Sequence, residues 1–192
     1  LHLCHHNLET IETNNYDSNN AKHDLLLEVC MAAKYEGDLI KTHYTPYQQE
    51  YDDSQLCTVL ARSFADIGDI VRGRDIFRGN DEEKEKRDKL DKNFKKYFQQ
   101  IHDDVTTNGK NRQALKTRYQ DDEANNFFKL REDWWNNNRK MVWYAITCGA
   151  GGSKYFRATC GDENNPSQTQ GDCRCPSHKV PTYFDYVPQF LR

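Results

Sequence analysis

The stretch from Leu56 to Gly73, LCTVLARSFADIGDIVRG, decides the fold of this chain. Its apolar residues recur at steps of three and four, which places them on one face of an α-helix. They are Leu56, Val59, Leu60, Phe64, Ile67, Ile70 and Val71. Ser54 is suited to cap the start of this helix, and Gly73 is suited to end it in a left-handed conformation. The pattern therefore predicts a helix with one buried face.

Other segments on both sides of this helix have the same period. A first helix is expected from about Asn20 to Tyr35, with Gly37 ending it, and a third from Asp81 to about Val105. A short piece around Arg112–Tyr119 precedes a further helix expected from Asp121 to Thr147. Because these helices carry matching apolar stripes, the sequence predicts a helix bundle.

The rest of the chain is aperiodic and polar. Residues 1–20 are rich in asparagine, and Gly149–Pro181 is rich in glycine and cysteine, so both are predicted to be irregular. Near the end of the chain, Pro188 is placed to start a final helix. The predicted fold class is mainly α, a disulfide-bonded helix bundle with long irregular polar loops.

Composition excludes some classes of function. Of the 192 residues, 36% are hydrophobic and 30% are charged, and the formal net charge is −3. A general nucleic-acid binder is not expected, since phosphate-driven affinity needs an excess of lysine and arginine. No run of apolar residues is long enough to span a membrane. Because the chain opens at Leu1 without a methionine, we expect a segment of a longer protein.

Seven cysteines are many for a reducing compartment, and they favour an oxidising one. They are Cys4, Cys30, Cys57, Cys148, Cys160, Cys173 and Cys175. Cys57 and Cys148 lie on or beside apolar stripes, so a bridge between them is predicted; the alternative is two buried free thiols. A Cys4–Cys30 bridge is also predicted, which leaves the other three cysteines to form one internal and one external bridge.

Motifs for catalysis or metal binding are weak. Cys173, Cys175 and His178 lack the C-x2-C spacing of tetrahedral zinc sites, even with Cys160 added. The run Gly149–Lys154, GAGGSK, follows a predicted helix and has its serine before the lysine, so it is a turn rather than a phosphate loop. We expect no enzyme activity, no cofactor and no metal.

Basic residues provide the candidate binding groups. The candidates are Arg62, Arg72, Arg74, Arg78, Arg112 and Lys116, with Lys110 and Arg118 beside them. Guanidinium forks and ammonium groups suit the sulfate groups of sulfated sugars by the same geometry that suits phosphate. The alternative is that each cation pairs with one of the many nearby carboxylates.

Long motifs resemble a known family. Residues 56–77 read LCTVLARSFADIGDIVRGRDIF, residues 130–150 read LREDWWNNNRKMVWYAITCGA, and residues 173–192 read CRCPSHKVPTYFDYVPQFLR. With LHLCHHNLE at the start and LLLEVCMAAKYEG in the first helix, they resemble the alpha-class Duffy-binding-like domain. That class belongs to the variant erythrocyte membrane protein family of Plasmodium falciparum.

The resemblance implies a domain organisation. Residues 1–50 would form the end of an irregular first subdomain together with the first helix. Residues 51–192 would form most of a helix-bundle second subdomain, truncated at its C-terminal helix. An unpaired cysteine would then find its partner beyond Arg192.

The resemblance also implies a function and partners. It implies an adhesion module on the surface of the infected erythrocyte, anchored by a distant membrane segment. Partners would be host red-cell or endothelial receptors, among them heparan sulfate, complement receptor one or blood-group sugars, and the neighbouring cysteine-rich interdomain region. Variable segments, roughly Gly79–Asn126 and Ala150–Gln170, would decide partner choice. The alternative is a structural, immune-facing spacer whose receptor site lies in the adjacent domain.

Overall fold

A computed structural model describes residues 21–48, 55–75, 80–108, 111–122, 124, 126–162 and 164–192. Its helices are α1 (Ala21–Gln48), α2 (Leu56–Arg72), α3 (Asp81–Thr107), α4 (Arg112–Arg118) and α5 (Phe128–Ile146). Two short antiparallel strands follow, β1 (Cys160–Asp162) and β2 (Asn165–Ser167), and then the 3-10 turns Phe184–Tyr186 and Gln189–Leu191. The predicted mainly helical class is confirmed. No described helix meets the length and hydropathy that a membrane span requires.

Helix α2 matches its predicted position. It runs from Leu56 to Arg72, and Gly73 follows with a positive φ of 70°. Leu60, Phe64 and Val71 on the apolar stripe are fully buried, as a core helix requires. The predicted cap, Ser54, lies outside the described residues.

Helix α1 is longer than predicted, and Gly37 lies inside it instead of ending it. A Cβ atom at Gly37 would overlap the carbonyl oxygen of Ile146. The glycine therefore permits a close approach of two backbones rather than a turn. Helix α1 continues beyond this contact to Gln48.

Local hydrogen bonds determine where α3 and α5 begin. Asn80 and Glu83 form a reciprocal capping box at the start of α3, which begins as predicted at Asp81. Helix α5 begins at Phe128, seven residues later than expected. Asn126 and Phe127 adopt left-handed φ angles of 57° and 60°, which no helix can include.

The described residues form two compact units. The first comprises residues 30–48, 55–69 and 138–192, and the second comprises residues 21–29 and the described part of 70–137. In the first unit, Phe64 packs edge-on against Trp143 with ring centroids 5.2 Å apart. In the second unit, Phe98 packs edge-on against Trp134 at 6.2 Å. The division into subdomains at residues 50 and 51 stays a prediction.

Two disulfides belong to the first unit. Cys57 pairs with Cys173 and Cys160 pairs with Cys175. The predicted Cys57–Cys148 bridge is therefore wrong. Helix α5 ends at Ile146, so Cys148 falls on the exposed turn after the helix, whereas the returning loop brings Cys173 to Trp143 and Cys57. The predicted internal bridge among the last three cysteines is present as Cys160–Cys175, but Cys173 is not left for an external partner.

Cys30 and Cys148 have no bridge to another described cysteine. Burial raises the pKa of the Cys30 thiol to about 11, so it stays protonated at neutral pH. The predicted partner of Cys30 is Cys4, which lies outside the described residues. The Cys4–Cys30 bridge therefore stays a prediction.

Ion pairs fix the end of the chain within the first unit. Arg139 donates from Nε and Nη2 to the two carboxylate oxygens of buried Asp185, at 2.8 and 2.7 Å. Arg192 pairs with Asp66 at 3.0 Å and also with Asp69. Residues after Pro188 form one 3-10 turn instead of the predicted start of an α-helix.

The buried face of α2 predicts a large effect for a core truncation. Changing Phe64, which is fully buried, to Ala should lower the free energy of unfolding by about 3–5 kcal/mol. Phe190 is 75% exposed and serves as the matched control, so its change to Ala should alter stability by less than about 0.5 kcal/mol. Urea unfolding followed by circular dichroism measures both, and equal effects would contradict the assignment of Phe64 to the core.

The bridge from Cys57 to Cys173 closes a loop with a sequence separation of 116 residues. In the chain-entropy description its removal should cost about 4–5 kcal/mol, against about 3 kcal/mol for Cys160–Cys175. The C57A/C173A variant should therefore unfold at lower urea concentration than C160A/C175A, while C148S should resemble the parent. Peptide mapping without reduction tests the pairing directly, and a peptide joining Cys57 to Cys148 would refute it.

Candidate functional site

The start of α5 carries three consecutive charged residues, and the first is buried in the second unit. Arg131 is 1% exposed, and its Nε donates to the carbonyl oxygen of Val71 at 2.8 Å. Its Nη1 and Nη2 both donate to Asp91 Oδ1, at 3.1 and 3.0 Å, and its guanidinium lies over the rings of Phe94 and Phe98. Burial opposes ionisation of Asp91, but the charges and hydrogen bonds of Arg131 and Lys95 together outweigh it and lower the Asp91 pKa.

The next residue, Glu132, receives two of the candidate arginines. Arg72 Nη1 lies 3.5 Å from Glu132 Oε1, and Arg74 Nη2 lies 2.9 Å from Glu132 Oε2. The Arg72 side chain is 1% exposed and lies over the Trp135 ring. Arg72 is therefore a packing residue of the second unit and does not present its guanidinium to solvent.

The third residue, Asp133, is held by α4. Arg118 donates to both carboxylate oxygens of Asp133, at 2.6 and 2.7 Å, and the hydroxyl of Tyr119 donates to one of them at 2.8 Å. The hydrogen bond from Arg118 lowers the pKa of Asp133. Burial, together with the hydrogen bond to Asp133, raises the pKa of Tyr119 to about 12. We define Arg131, Glu132 and Asp133 as the α5 charge cluster.

The structure brings some predicted binding residues to the surface. Arg112 and Lys116 are exposed one turn apart on α4 of the second unit. Arg74 keeps 57% of its side chain exposed although it is paired with Glu132. Arg62 is exposed on α2 within the first unit. Arg78 lies outside the described residues.

Sequence reasoning did not select the lysines of α3 as binding residues. Lys89, Lys92 and Lys96 are exposed in the structure. The sequence pattern indicates that these lysines are exposed, because their positions lie opposite the predicted apolar stripe. The dense mixture of acidic and basic residues concealed it, since each lysine has a carboxylate nearby in sequence.

The second unit also contains a cavity of about 760 Å³. Its apolar lining residues are Ile70, Leu90, Phe94 and Phe128. Its remaining lining residues are Gly73, Asp75, Lys84, Arg87, Asp88, Asp91, Lys95, Asn126 and Arg131. The lining contains both carboxylates and cations, and the pairs Arg87–Asp75, Lys95–Asp91 and Arg131–Asp91 use much of this charge internally. The cavity therefore has no strong preference for a charged ligand of either sign.

The weak metal and phosphate motifs receive structural explanations. Cys173 and Cys175 are both bonded in disulfides, which excludes them as thiolate ligands beside His178. Within the described ranges, no group of three or more acidic, histidine or cysteine residues could hold a metal ion. In the glycine run, Ser153 is buried and its backbone N–H donates to the carbonyl oxygen of Gly171 at 3.2 Å, in an isolated β-bridge that joins the run to a distant segment.

The chain is a helical domain with disulfide bridges and internal ion pairs, and its exposed candidate binding groups are basic. Comparison with protein families identifies the family of this domain. The family model for the Duffy binding domain matches residues 1–192. The chain belongs to this family, and the resemblance seen in its sequence motifs is confirmed. Sequence comparison with curated proteins finds no match.

Solved structures include close relatives. The chain is 40% identical to the NTS-DBL1(alpha-1) domain of Plasmodium falciparum membrane protein 1 (PfEMP1) from the varO strain, with a TM-score of 0.77. It is 41% identical, with a TM-score of 0.76, to the DBL1-alpha and CIDR-gamma double domain of the same protein. The matches cover 99% of this chain but only 40% and 25% of those chains. The chain thus spans less than half the length of either solved relative.

A DBLbeta domain of PfEMP1 is also similar. It is described as ICAM-1-binding, is 32% identical with a TM-score of 0.68, and is covered over 39% of its length by the whole of this chain. These likenesses confirm the Duffy-binding-like fold, and the similar solved structures are domains of PfEMP1.

The bond between Arg118 and Asp133 predicts a pH dependence of stability. Because the folded-state pKa of Asp133 lies below its unfolded value of about 3.9, its contribution is complete above that value and is lost as the pH falls through the folded pKa. Changing Asp133 to Asn should lower the free energy of unfolding by about 1–2 kcal/mol at pH 7. The difference should shrink below pH 4.

Urea unfolding of the parent and the Asn variant from pH 7 to pH 2.5 measures this effect. Asp162 is exposed and forms no ion pair with another described residue, so its change to Asn is the matched control and should show no such trend. A difference that stays constant across the pH range would contradict the proposed role of the Asp133 charge.

Proposed function

We propose that this chain is an extracellular adhesion module of a variant surface antigen. It would bind host-cell glycans or glycoprotein receptors at the surface of the infected erythrocyte, in cytoadherence or in rosetting. The observation that carries this proposal is its membership of the Duffy binding domain family along all 192 residues. Related PfEMP1 domains are described as ICAM-1-binding and as bound to human ICAM-1, which supports a receptor-binding role.

Physical features of the described residues agree with a binding role. Disulfides and buried ion pairs stabilise the helices without using Arg112 and Lys116, which remain exposed. Exposed cations of this kind raise association rates with anionic partners and lose strength as salt is added. Sulfated glycans such as heparan sulfate are the partner class that fits them best, while complement receptor one and blood-group sugars remain further candidates.

A second candidate function is a structural and immune-facing spacer. The relative that joins a DBL1-alpha to a CIDR-gamma domain favours it, because the receptor site of such a head could lie in the neighbouring cysteine-rich region. In that case the chain would orient its neighbour, and its own surface charges would not affect receptor binding.

Binding of red cells to the immobilised chain distinguishes these functions. The variant R112E/K116E should capture about tenfold fewer cells at physiological salt if the chain itself binds, because two attractive charges become repulsive. The control K154E/K179E changes the same number of exposed lysine or arginine charges in the first unit and should behave as the parent.

Binding that appears only when the cysteine-rich neighbour is attached, and that ignores R112E/K116E, would support the spacer and refute the adhesion proposal for this chain. Capture equal in the parent, the variant and the control, without the neighbour, would show that these two cations are not the binding groups.

A further inference from the structure

The cavity of the second unit connects buried apolar side chains to the surface. Leu90 and Phe94, which line it, are 2% and 1% exposed, whereas Phe128 on the same lining is 44% exposed. Ile70, the fourth apolar residue of the lining, is half-buried. At about 760 Å³ the cavity lies within the range of roughly 300–1,000 Å³ that is typical of binding sites. An apolar group from outside the chain can therefore reach core side chains here.

Most charged groups of the lining already have partners within the unit. Arg87 pairs with Asp75, and Asp91 pairs with both Lys95 and Arg131. Because these charges are balanced internally, a ligand that enters the cavity needs no charge of its own to satisfy them. The interior of the cavity therefore suits a neutral, apolar group.

Two charged residues of the lining remain available to a partner. Lys84 and Asp88 are exposed one turn apart on α3, and both line the cavity. Neither forms an ion pair with another residue in the part of the chain that the structure describes. The opening thus presents one positive and one negative charge close together. We call these two residues the rim charges.

We propose that this cavity is an anchor site for a protein receptor, where it takes one apolar side chain flanked by an acidic and a basic residue. The inference rests on the proposed adhesion function and specifies a polypeptide as the partner class. The apolar side chain would contact Leu90 and Phe94, while its flanking residues would pair with Lys84 and Asp88. An apolar centre inside a polar rim is the usual arrangement at the energetic centre of protein interfaces.

Two other ligand classes fit the cavity less well. Only four of the thirteen lining residues are apolar, whereas sites for small molecules are lined mostly by hydrophobic side chains. A sulfated glycan carries only negative charge and would lie against Asp88 without offering it a cation. A polypeptide supplies an apolar group together with charges of both signs.

The test measures binding of a short peptide probe to the isotope-labelled full chain by nuclear magnetic resonance. The probe is acetyl-Glu-Gly-Phe-Gly-Lys-amide, in which alternate side chains of an extended segment point to one side. Its phenylalanine is the anchor, and its end residues match the rim charges. The same peptide with alanine in place of phenylalanine should bind about tenfold more weakly, because it lacks the apolar ring that the cavity would cover.

Two variants change the cavity without truncating a buried side chain. I70F places a larger side chain at a half-buried position of the lining, and it should weaken probe binding about fivefold by occupying space. K84Q/D88N removes both rim charges and should weaken binding about threefold. Its matched control is E85Q/K89Q, which removes opposite charges one turn apart on α3 outside the lining and should stay within about twofold of the parent.

Several results would overturn the proposal. They are a parent chain that does not bind the probe, equal binding of the alanine peptide, and a folded I70F variant that binds as the parent does. A K84Q/D88N variant no weaker than E85Q/K89Q would also count against it. Thermal unfolding of each variant distinguishes a loss of binding from a loss of fold.

The competing occupant of the cavity is the chain itself. Residues 76–79, with the sequence IFRG, lie outside the described residues and include two apolar side chains. Probe binding that appears only after Phe77 is changed to Ala would show that the chain fills its own cavity, and it would overturn the proposal.

Red-cell capture by the immobilised chain separates this site from the adhesion function. Capture that is lost when the cells are treated with trypsin, and that is weaker for I70F and K84Q/D88N, would support a protein receptor at this cavity. Capture unchanged in both variants would leave the adhesion function standing and reject only this site. A parent chain that binds the probe but captures no cells would reject the adhesion function, and with it the receptor role of the cavity.

Discussion

The ion pair between buried Arg131 and half-exposed Asp91 is the interaction on which the second unit depends. A guanidinium that is 1% exposed is costly to bury, and it is tolerated here because a carboxylate, the Val71 carbonyl and two aromatic rings surround it. Gly73 is required beside it, since a Cβ atom there would lie 2.6 Å from Arg131 Nη1. The end of α2, the middle of α3 and the start of α5 are thereby fixed to one group.

The first unit is stabilised by different chemistry. Its disulfides join α2 to the irregular segment after α5 and connect the first strand of the small hairpin to Cys175 in that segment. Arg139 pairs with Asp185, and Arg192 pairs with Asp66, so ion pairs fix the end of the chain. Long polar loops can therefore be ordered in a chain of low hydrophobic content, because covalent bonds and charge-assisted hydrogen bonds replace core area.

This division between scaffold and surface has a functional consequence. Two candidate arginines at the end of α2 and just after it pair with Glu132. Arg72 is fully buried, whereas Arg74 stays partly exposed. The exposed cations Arg112 and Lys116 lie on α4, within the segment that the family resemblance marks as variable. A scaffold whose buried charges are satisfied internally can change its surface residues at little cost in stability. Such a design suits a variant antigen that must alter its surface while keeping its fold.

The sequence alone determined the helical class, the position of α2 and the family, because apolar residues at helical spacing and long motifs are local signals. It also predicted basic residues as the binding groups, which stays a prediction. Only the tertiary structure decided that Cys173 rather than Cys148 reaches Cys57, since a pairing depends on where loops return in space. Gly37 was predicted to end the first helix, but it lies inside α1 and permits a close backbone contact with Ile146. That contact also depends on which segments meet in space. Whether a cation is buried, paired or exposed is set by residues distant in the chain, which is why Arg72 is excluded from the candidate site.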